Sequence, residues 1–456
     1  MQLSIKEILV CTNGKCLNQE NNEHVLIEEI FIDSRQRVYN GLFVPIKGKK
    51  FDGHDYIQDV IAMGAIATLT SQESSTIYPN LITIFVEDTK KALLNLAEYY
   101  NEKFNQKVIA VTGSVGKTTT KEMIATVLET KFKVHKTIGN YNNDIGVPKT
   151  IFSLSPDDEI SVIEMGMNHF NELSKLTQVA KPDFAVITNI GTAHIENLGS
   201  REGILKAKLE ILEGLKPDGI VIINGDEPLL LEKKQDNWIT FGFSQDSDYH
   251  ATNVTSYGVI TEAVIYTPTT AFKIKVPSPG QHMALNAMVA IIIAEKLGIS
   301  QSDITKGLNN YKTEKMRMQI TSHSDLTLID DTYNASYDSM VAAIKVLENY
   351  ITKNRRIAVL GDIFELGDYT ERIHRKLGEY ISERRLNCVY TIGAASKVTC
   401  DTISNLSDNI EVVHFDSKED FINSLDVCIK PSDTVLIKAS RGMHLEEIVK
   451  AIRKER

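Results

Sequence analysis

The sequence predicts an α/β protein of three domains: a small N-terminal α/β domain (residues 1–104), a central domain around a mostly parallel sheet (105–313) and a doubly wound C-terminal domain (314–456). Three observations carry that prediction. Short apolar, β-branched runs repeatedly end in a polar residue and alternate with segments of helical period, the pattern of parallel sheets covered on both faces. At 456 residues, 42% hydrophobic and 24% charged, the chain is too long for one core and suits two or three. One stretch, VIAVTGSVGKTTTKEMIATVLET at residues 108–130, passes from strand to glycine turn to helix without interruption.

The N-terminal segment contains short strands near residues 30–32 (IFI) and 42–46 (LFVPI). Asp33-Ser34-Arg35 follows the first, and KGKKFDGH, residues 47–54, follows the second. Ser34, Arg35, Lys47, Asp52, Gly53 and His54 at strand ends suit an anionic ligand such as a diphosphate. The same residue types also make ordinary solvated turns, and these residues alone do not decide between the two. The spacing from Leu93 to Tyr100 predicts the domain's closing helix, with a polar linker from Asn101 to Gln106.

In the central stretch, Val108 to Val111 is a strand buried on both faces, and Met123 with Val127 and Ile124 with Leu128 fall on one side of the following helix. Gly113 and Gly116 let backbone N–H groups turn toward a phosphate, and the helix start adds its positive dipole end. Gly113, Ser114, Val115, Gly116, Lys117, Thr118 and Thr119 thus form a nucleotide phosphate loop in the short G-x-x-G-K-T-T form, with Val111 where the common loop has its first glycine. Lys117 supplies a point charge for the terminal phosphates and Thr118 a hydroxyl for Mg²⁺.

The asparagine-rich loop TIGNYNNDIGVP, residues 137–148, follows. Its amides, Asn140 and Asn143 among them, suit either substrate carbonyls and phosphates or a structural turn. Three further strands end in Glu164, in Thr188-Asn189 and in Asn224, where ligands gather in open parallel sheets. A carboxylate there is costly unless paired or bound to metal, so Glu164 is a candidate Mg²⁺ ligand. His194 directly follows a strand end in the same crevice. A lone histidine and a helical lysine such as Lys208 are otherwise ordinary structural and solvated residues.

Pro279 to His282 opens a helix to Leu297 that carries Asn286 near its start, and Lys312 to Met318, charged and turn-like, marks the second boundary. Beyond it, apolar strands run into Asp330-Asp331, Gly361-Asp362 and Lys438, which predicts the second doubly wound, Rossmann-like sheet. No G-x-G-x-x-G follows a strand there, so NAD is not indicated.

Net charge of −10 argues against a general nucleic-acid or membrane-surface partner. Absence of a signal-peptide core or a long apolar run leads to the expectation of a cytoplasmic protein without a membrane span. Five cysteines without metal spacing are expected to be reduced.

TGSVGKTTT, NYNNDIGVP, Glu164-Met165-Gly166, TNIGTAHIENLGS and KAKLEI, in that order, resemble the central ATPase domain of the Mur ligases. The DSR and KGKKFDGHDY segments and DDTYNASYDSM are similar to the branch that adds D-alanyl-D-alanine to a UDP-N-acetylmuramoyl-tripeptide; Tyr337 stands where that branch commonly has proline. The resemblance implies that Lys117, Lys208, His194 and Arg317 serve catalysis. It implies that ATP is held by residues 113–119 with Asn286 near adenine, Arg317 at the γ-phosphate and Asp331 at the ribose. Two Mg²⁺ ions would be held by Thr118, Glu164, His194 and a carbamylated Lys208. Asn334, Ser336 and the loop Phe364 to Gly367 would face the cleft with Asn140 and Asn143, while the UDP end would lie on Ser34, Arg35, Lys47, Asp52, Gly53 and His54. Lys438 and Arg441, at the last strand end, suit anion or peptide contacts as well as plain surface charge.

The reaction so implied is amide-bond formation through an acyl phosphate, by a monomer whose partners are small molecules. Because its parts sit on different domains, the site is expected to be open without substrates and to complete itself on closure. Folylpolyglutamate synthetase shares the ATPase and C-terminal architecture but lacks an N-terminal domain of this kind. A phosphate-loop kinase or nucleotide-switch module would leave His194, Lys208 and the second doubly wound domain unexplained.

Overall fold

The computed structural model describes residues 2–18, 22–73, 77–323 and 326–455. The N-terminal sheet has five strands in the order Lys15–Cys16, Ile82–Phe85, Ala65–Thr70, Gly41–Phe43, Glu29–Phe31, all parallel except the first. Helix Ile5–Thr12 is started by a capping box between Ser4 and Glu7. The closing helix runs Thr89–Asn101, earlier than its apolar spacing alone predicts, because Asp88 accepts from Lys90 N and Lys91 N at 2.8 and 3.0 Å. Its buried face, Leu93, Leu96, Ala97 and Tyr100, follows the helical period.

The linker departs from expectation. Asn101 and Gln106 are buried: Asn101 Nδ2 donates to Val179 O and Ala180 O at 3.2 and 2.9 Å, and Gln106 Nε2 donates to Asn101 Oδ1 at 2.8 Å. The amides cap a neighbouring helix's carbonyls instead of facing solvent, so this junction is packed.

The central sheet has nine strands. Six are mutually parallel from Val134–Lys136 through Ile160–Glu164, Lys107–Thr112, Phe184–Ile187 and Ile220–Asn224 to Ile239–Gly242, and Tyr249–Tyr257 continues parallel to the last. Antiparallel strands Ile260–Tyr266 and Ala271–Val276 then extend the sheet, an addition the strand-end pattern gives no hint of. Helices Lys117–Leu128 and His282–Lys296 cover one face; residues 286–294 of the second are all buried, as expected for a helix apolar almost all round. Register sets Glu164 opposite Val111 and Ile187 opposite Thr112, so three polar strand ends meet at one edge.

The C-terminal sheet orders as Gln319–His323, Leu326–Asp330, Thr434–Lys438, Arg356–Gly361, Cys388–Ile392, Glu411–Phe415, parallel apart from the antiparallel first strand. Helices Tyr337–Asn349, Thr370–Ser382, Ser396–Leu406 and Glu446–Glu455 alternate with the strands, giving the expected doubly wound form. All five cysteines are free, and among the described residues no helix is long and apolar enough to cross a membrane.

Candidate active site

The loop after strand Lys107–Thr112 is shaped by close approach. A Cβ on Gly113, at φ +151°, would meet Thr188 Oγ1 at 1.8 Å, so no side chain fits. Gly116 has φ +87°, in the left-handed region that glycine enters without strain. Thr188 Oγ1 and Asn189 Nδ2 both donate to Val115 O, at 2.6 and 2.9 Å. Ser114 N and Val115 N donate to Asn189 O and Oδ1, so these two amides serve the loop's shape rather than an anion. The first amide bonded inside the helix is Thr120 N, on Gly116 O at 2.8 Å; those of Lys117, Thr118 and Thr119 lie at the open helix end, the arrangement that binds phosphate.

Lys117 Nζ donates to Gly113 O at 2.7 Å, folded back over the loop. Burial lowers its pKa; the Glu164 charge opposes that and the Arg317 charge reinforces it. Glu164 is 2% exposed. Its N–H donates to Thr137 Oγ1 and its Oε1 accepts from Asn142 Nδ2 at 2.8 Å, while Oε2 is buried without a hydrogen-bond partner among the described residues. An acceptor-only group with an unpaired oxygen beside a phosphate loop fits a divalent cation. Among the described residues no cluster of three or more His, Cys, Asp or Glu forms a complete metal cage.

His194 has φ +63°, and its Nδ1 lies 2.6 Å from Glu365 Oε2, close enough for an ion pair but out of line for a hydrogen bond. The contact with His194 holds the Glu365 carboxyl below its usual range. Lys208 is 2% exposed and is not among the residues that line the cleft. Burial, with Lys117 adding to it, pushes its pKa well below that of an ordinary lysine. A neutral amine is the form that carbon dioxide can carbamylate, so the residue fits that modification.

Around a cleft of about 480 Å³, the structure gathers Ser114 to Thr119, Asn140, Asn143, Glu164, His194, Asn286, Arg317, Asp331, Asn334 and Ser336. Several are already engaged. Asn286 Oδ1 accepts from Thr120 Oγ1 at 3.1 Å and would sit 3.2 Å from a Cβ on Gly116, which ties it to the phosphate loop. Arg317 stacks on Tyr333 at 4.0 Å. Asp331 pairs with Lys438 at 2.5 Å and accepts from Met318 N at 3.0 Å. Lys438 is therefore a buried ion-pair partner, and Arg441 pairs with Glu446 at 3.2 Å. Asn143 Oδ1 accepts from Ile145 N and Gly146 N, and Ser336 caps helix Tyr337–Asn349, so both side chains are committed to local turns.

The central and C-terminal domains are bridged by direct contacts. Asp338 Oδ2 accepts from Thr192 N and Oγ1 at 2.9 and 3.2 Å, and Tyr369 OH donates to Gly199 O at 2.7 Å. The cause is that loop 190–199 and the C-terminal domain carry complementary donors and acceptors of their own, which pair directly. Asn142, Asp338 and Glu365 were not singled out from the sequence as individual site residues. Asn142 is one amide among several in the asparagine-rich loop, Asp338 one residue of the DDTYNASYDSM segment, and only the loop holding Glu365 is expected at the cleft.

The N-terminal candidates lie outside the cleft lining. Asp52 accepts from His54 N and faces His54 Nδ1 at 2.6 Å, and His54 Nε2 accepts from Ser71 N at 3.1 Å. Lys47 reaches Asp52 at 4.0 Å, and a Cβ on Gly53 would meet Ile46 N at 2.6 Å, so residues 47–54 form a tightly closed turn. Arg35 pairs with Asp33 at 2.8 Å and is exposed beside Ser34. This end nonetheless abuts the asparagine-rich loop: Lys90 pairs with Asp144 at 2.5 Å, and the Lys149 charge reaches Asp33.

Comparison with known proteins accounts for this arrangement. Residues 111–294 match the Mur ligase middle domain, 316–441 the Mur ligase glutamate ligase domain, and 26–101 the Mur ligase family catalytic domain. The UDP-N-acetylmuramoyl-tripeptide–D-alanyl-D-alanine ligase of Bacillus subtilis is 40% identical, with 98% of this chain and 97% of that protein covered. Its Escherichia coli counterpart is 35% identical, with 94% of each covered. A crystal structure of MurF from Acinetobacter baumannii superposes with a TM-score of 0.91 at 30% identity, covering 100% of this chain and 99% of that one. The Thermotoga maritima MurF ligase in complex with ADP gives 0.84 at 29% identity, covering 94% and 97%. With matches along its whole length, the chain belongs to the Mur ligase family.

Proposed function

We propose that this protein is the ATP-dependent ligase that joins D-alanyl-D-alanine to UDP-N-acetylmuramoyl-tripeptide, making the pentapeptide precursor of peptidoglycan in the cytoplasm. Full-length identity of 40% to a ligase of that name is the observation that carries the reading. Domains divided at 104/105 and 313/314 would bring the UDP-substrate, ATP and dipeptide together, in a monomer. The match of residues 26–101 to a Mur ligase domain favours this reading over a folylpolyglutamate ligase or a kinase-like switch.

The chemistry follows from charge. The tripeptide carboxylate attacks the γ-phosphorus of ATP, ADP leaves, and the dipeptide's neutral amine then displaces phosphate from the acyl phosphate. Two anions must meet in the first step, so the protein's task is to neutralise and align them. The amides of residues 117–119 and the Lys117 ammonium would cradle the phosphates, and Arg317, stacked and held on Tyr333, would address the γ-phosphate. Thr118, Glu164, His194 and carbamylated Lys208 would hold two Mg²⁺ ions, whose bound charge offsets that of the phosphates. Asn142 fixes one Glu164 oxygen and leaves the other free to point at a cation.

Phosphate release by the purified protein should require both the UDP-tripeptide and D-alanyl-D-alanine, and ¹⁸O placed in the tripeptide carboxylate should appear in the phosphate. Release that needs neither substrate, or phosphate free of label, overturns the proposal.

A further inference from the structure

His194 is met from across the domain boundary. Its ring lines the cleft and is 20% exposed, and Glu365, which faces it with Oε2 2.6 Å from Nδ1, belongs to the C-terminal domain. The loop carrying Glu365 is fixed by that domain: Ile363 N donates to His374 Nε2 at 3.3 Å and Phe364 N to Ser440 Oγ at 2.8 Å. Its outer side presses on the loop of His194. Glu196 N donates to Glu365 O at 3.3 Å, and a Cβ on Gly367, at φ +51°, would meet Glu196 Cγ at 2.9 Å.

His194 and Glu365 both take left-handed backbone, at φ +63° and +62°. Residues other than glycine avoid that region, and where they hold it the surroundings impose it, often at a functional site. Docking does not require the Glu365 carboxylate. Asp338 with Thr192 and Tyr369 with Gly199 bridge the same two domains, and Glu365 reaches Glu196 through backbone atoms alone. A half-exposed ion pair adds little to such contacts.

What the carboxylate does fix is a proton. Ionised, it offers only lone pairs, so at 2.6 Å the contact is attractive only when Nδ1 carries the imidazole proton. Neutral imidazole has one such proton, and Nε2 is left with the lone pair that a cation needs. The two atoms lie off the hydrogen-bond line here, and bonds within a site commonly tighten only when it fills.

We propose that Glu365 is a positioning residue for His194: reaching over from the C-terminal domain, it keeps the proton on Nδ1 and presents Nε2 to the divalent cation at the phosphates. The proposal rests on the assignment of His194 as a cation ligand in the ligase reading above. Metal-binding histidines generally give their second N–H to a carboxylate or carbonyl, and losing that partner costs roughly ten- to a hundredfold in metal affinity. Because the partner arrives on another domain, docking of that domain and cation binding are coupled.

Long-range ¹H–¹⁵N spectra of the full-length protein labelled with ¹⁵N-histidine, at about pH 8.5 where ordinary histidines are neutral, read the tautomer with no nucleotide, metal or substrate present. His194→Asn assigns the signal. The expected result is His194 protonated on Nδ1, moving toward the Nε2-protonated form in Glu365→Ala. Mn²⁺ binding in the presence of ADP, followed by the electron paramagnetic resonance of the free ion, should weaken about tenfold in the same variant. His194 protonated on Nε2 in the parent overturns the proposal whether or not any variant folds. So does a tautomer unmoved in Glu365→Ala, or a tautomer that moves while Mn²⁺ affinity stays the same. His194→Asn separates this failure from that of the ligand assignment: if it weakens Mn²⁺ binding and Glu365→Ala does not, only the positioning role falls, whereas unchanged binding in His194→Asn removes the ligand assignment and the positioning role together.

Discussion

Asn142 shows how much of the site hangs on single contacts. It alone donates to the Glu164 carboxylate among the described side chains, and a hydrogen bond to a charged group contributes about 1.5–3 kcal/mol. Asn142→Ala is therefore expected to lower kcat by roughly ten- to a hundredfold and to raise the Mg²⁺ concentration needed for half-maximal rate. A magnesium titration of both proteins checks this, and an unchanged requirement contradicts it. Lys208→Ala should abolish turnover, with partial rescue by a short carboxylate such as acetate standing in for the carbamate; full activity without rescue removes that role. Lys117 and Thr118 stand out because a motif contains them, and Glu164 because it ends the strand that pairs beside the one leading into the phosphate loop. Asn142 was not, since Asn140, Asn142 and Asn143 are alike in sequence and only the fold decides which amide meets Glu164. Asn143 and Ser336 carry the complementary lesson: a residue that caps a turn and one that binds a ligand share the same chemistry.

At the scale of elements, parallel strands and their polar ends are readable from apolar runs, whereas the antiparallel strands 260–266 and 271–276 alternate buried and outward residues and contain no such run. Tyr337 opens its helix at the position where proline is well suited, and Lys376 lies 4.4 Å over its ring, a contact proline would lack. Helix Ile5–Thr12 offers a pH test. Burial pushes the Glu7 carboxyl up, but hydrogen bonds from Lys103, Ser4 and Tyr99 outweigh it and hold the pKa at about 2 against 4.5. A folded-state pKa below the unfolded value gives stability that is present above pH 4.5 and lost as pH falls toward 2. Glu7→Gln keeps a capping-box residue but cannot titrate, so its melting temperature should fall less than the parent's between pH 4.5 and 2.5. Parallel curves for the two proteins contradict the assignment.

In the whole molecule, the domains meet in two different ways. The central and C-terminal domains touch through a few polar contacts between loops, chiefly Asp338 with Thr192 and Tyr369 with Gly199. Asp338→Asn retains the shape but removes the charge that accepts two hydrogen bonds. The expected outcome is a five- to thirtyfold loss in kcat/KM, of the order of one to two kcal/mol, together with a larger radius of gyration in X-ray scattering. An unchanged radius contradicts a latching role. The three-sheet architecture is readable as alternating strands and helices, but the packing of the first junction is not, because Asn101 and Gln106 look like any solvated amides until Val179 and Ala180 are brought beside them.

That asymmetry sets how the chain comes apart. The buried amides of Asn101 and Gln106 tie the first two domains together, while residues 312–315 form a largely accessible strap to the third. A protease applied sparingly should nick the strap first and spare the tie, releasing a C-terminal fragment of about 140 residues. Two polypeptides expressed separately from either side of that cut should find each other again and regain turnover. A cut at residue 104 should instead yield halves that precipitate.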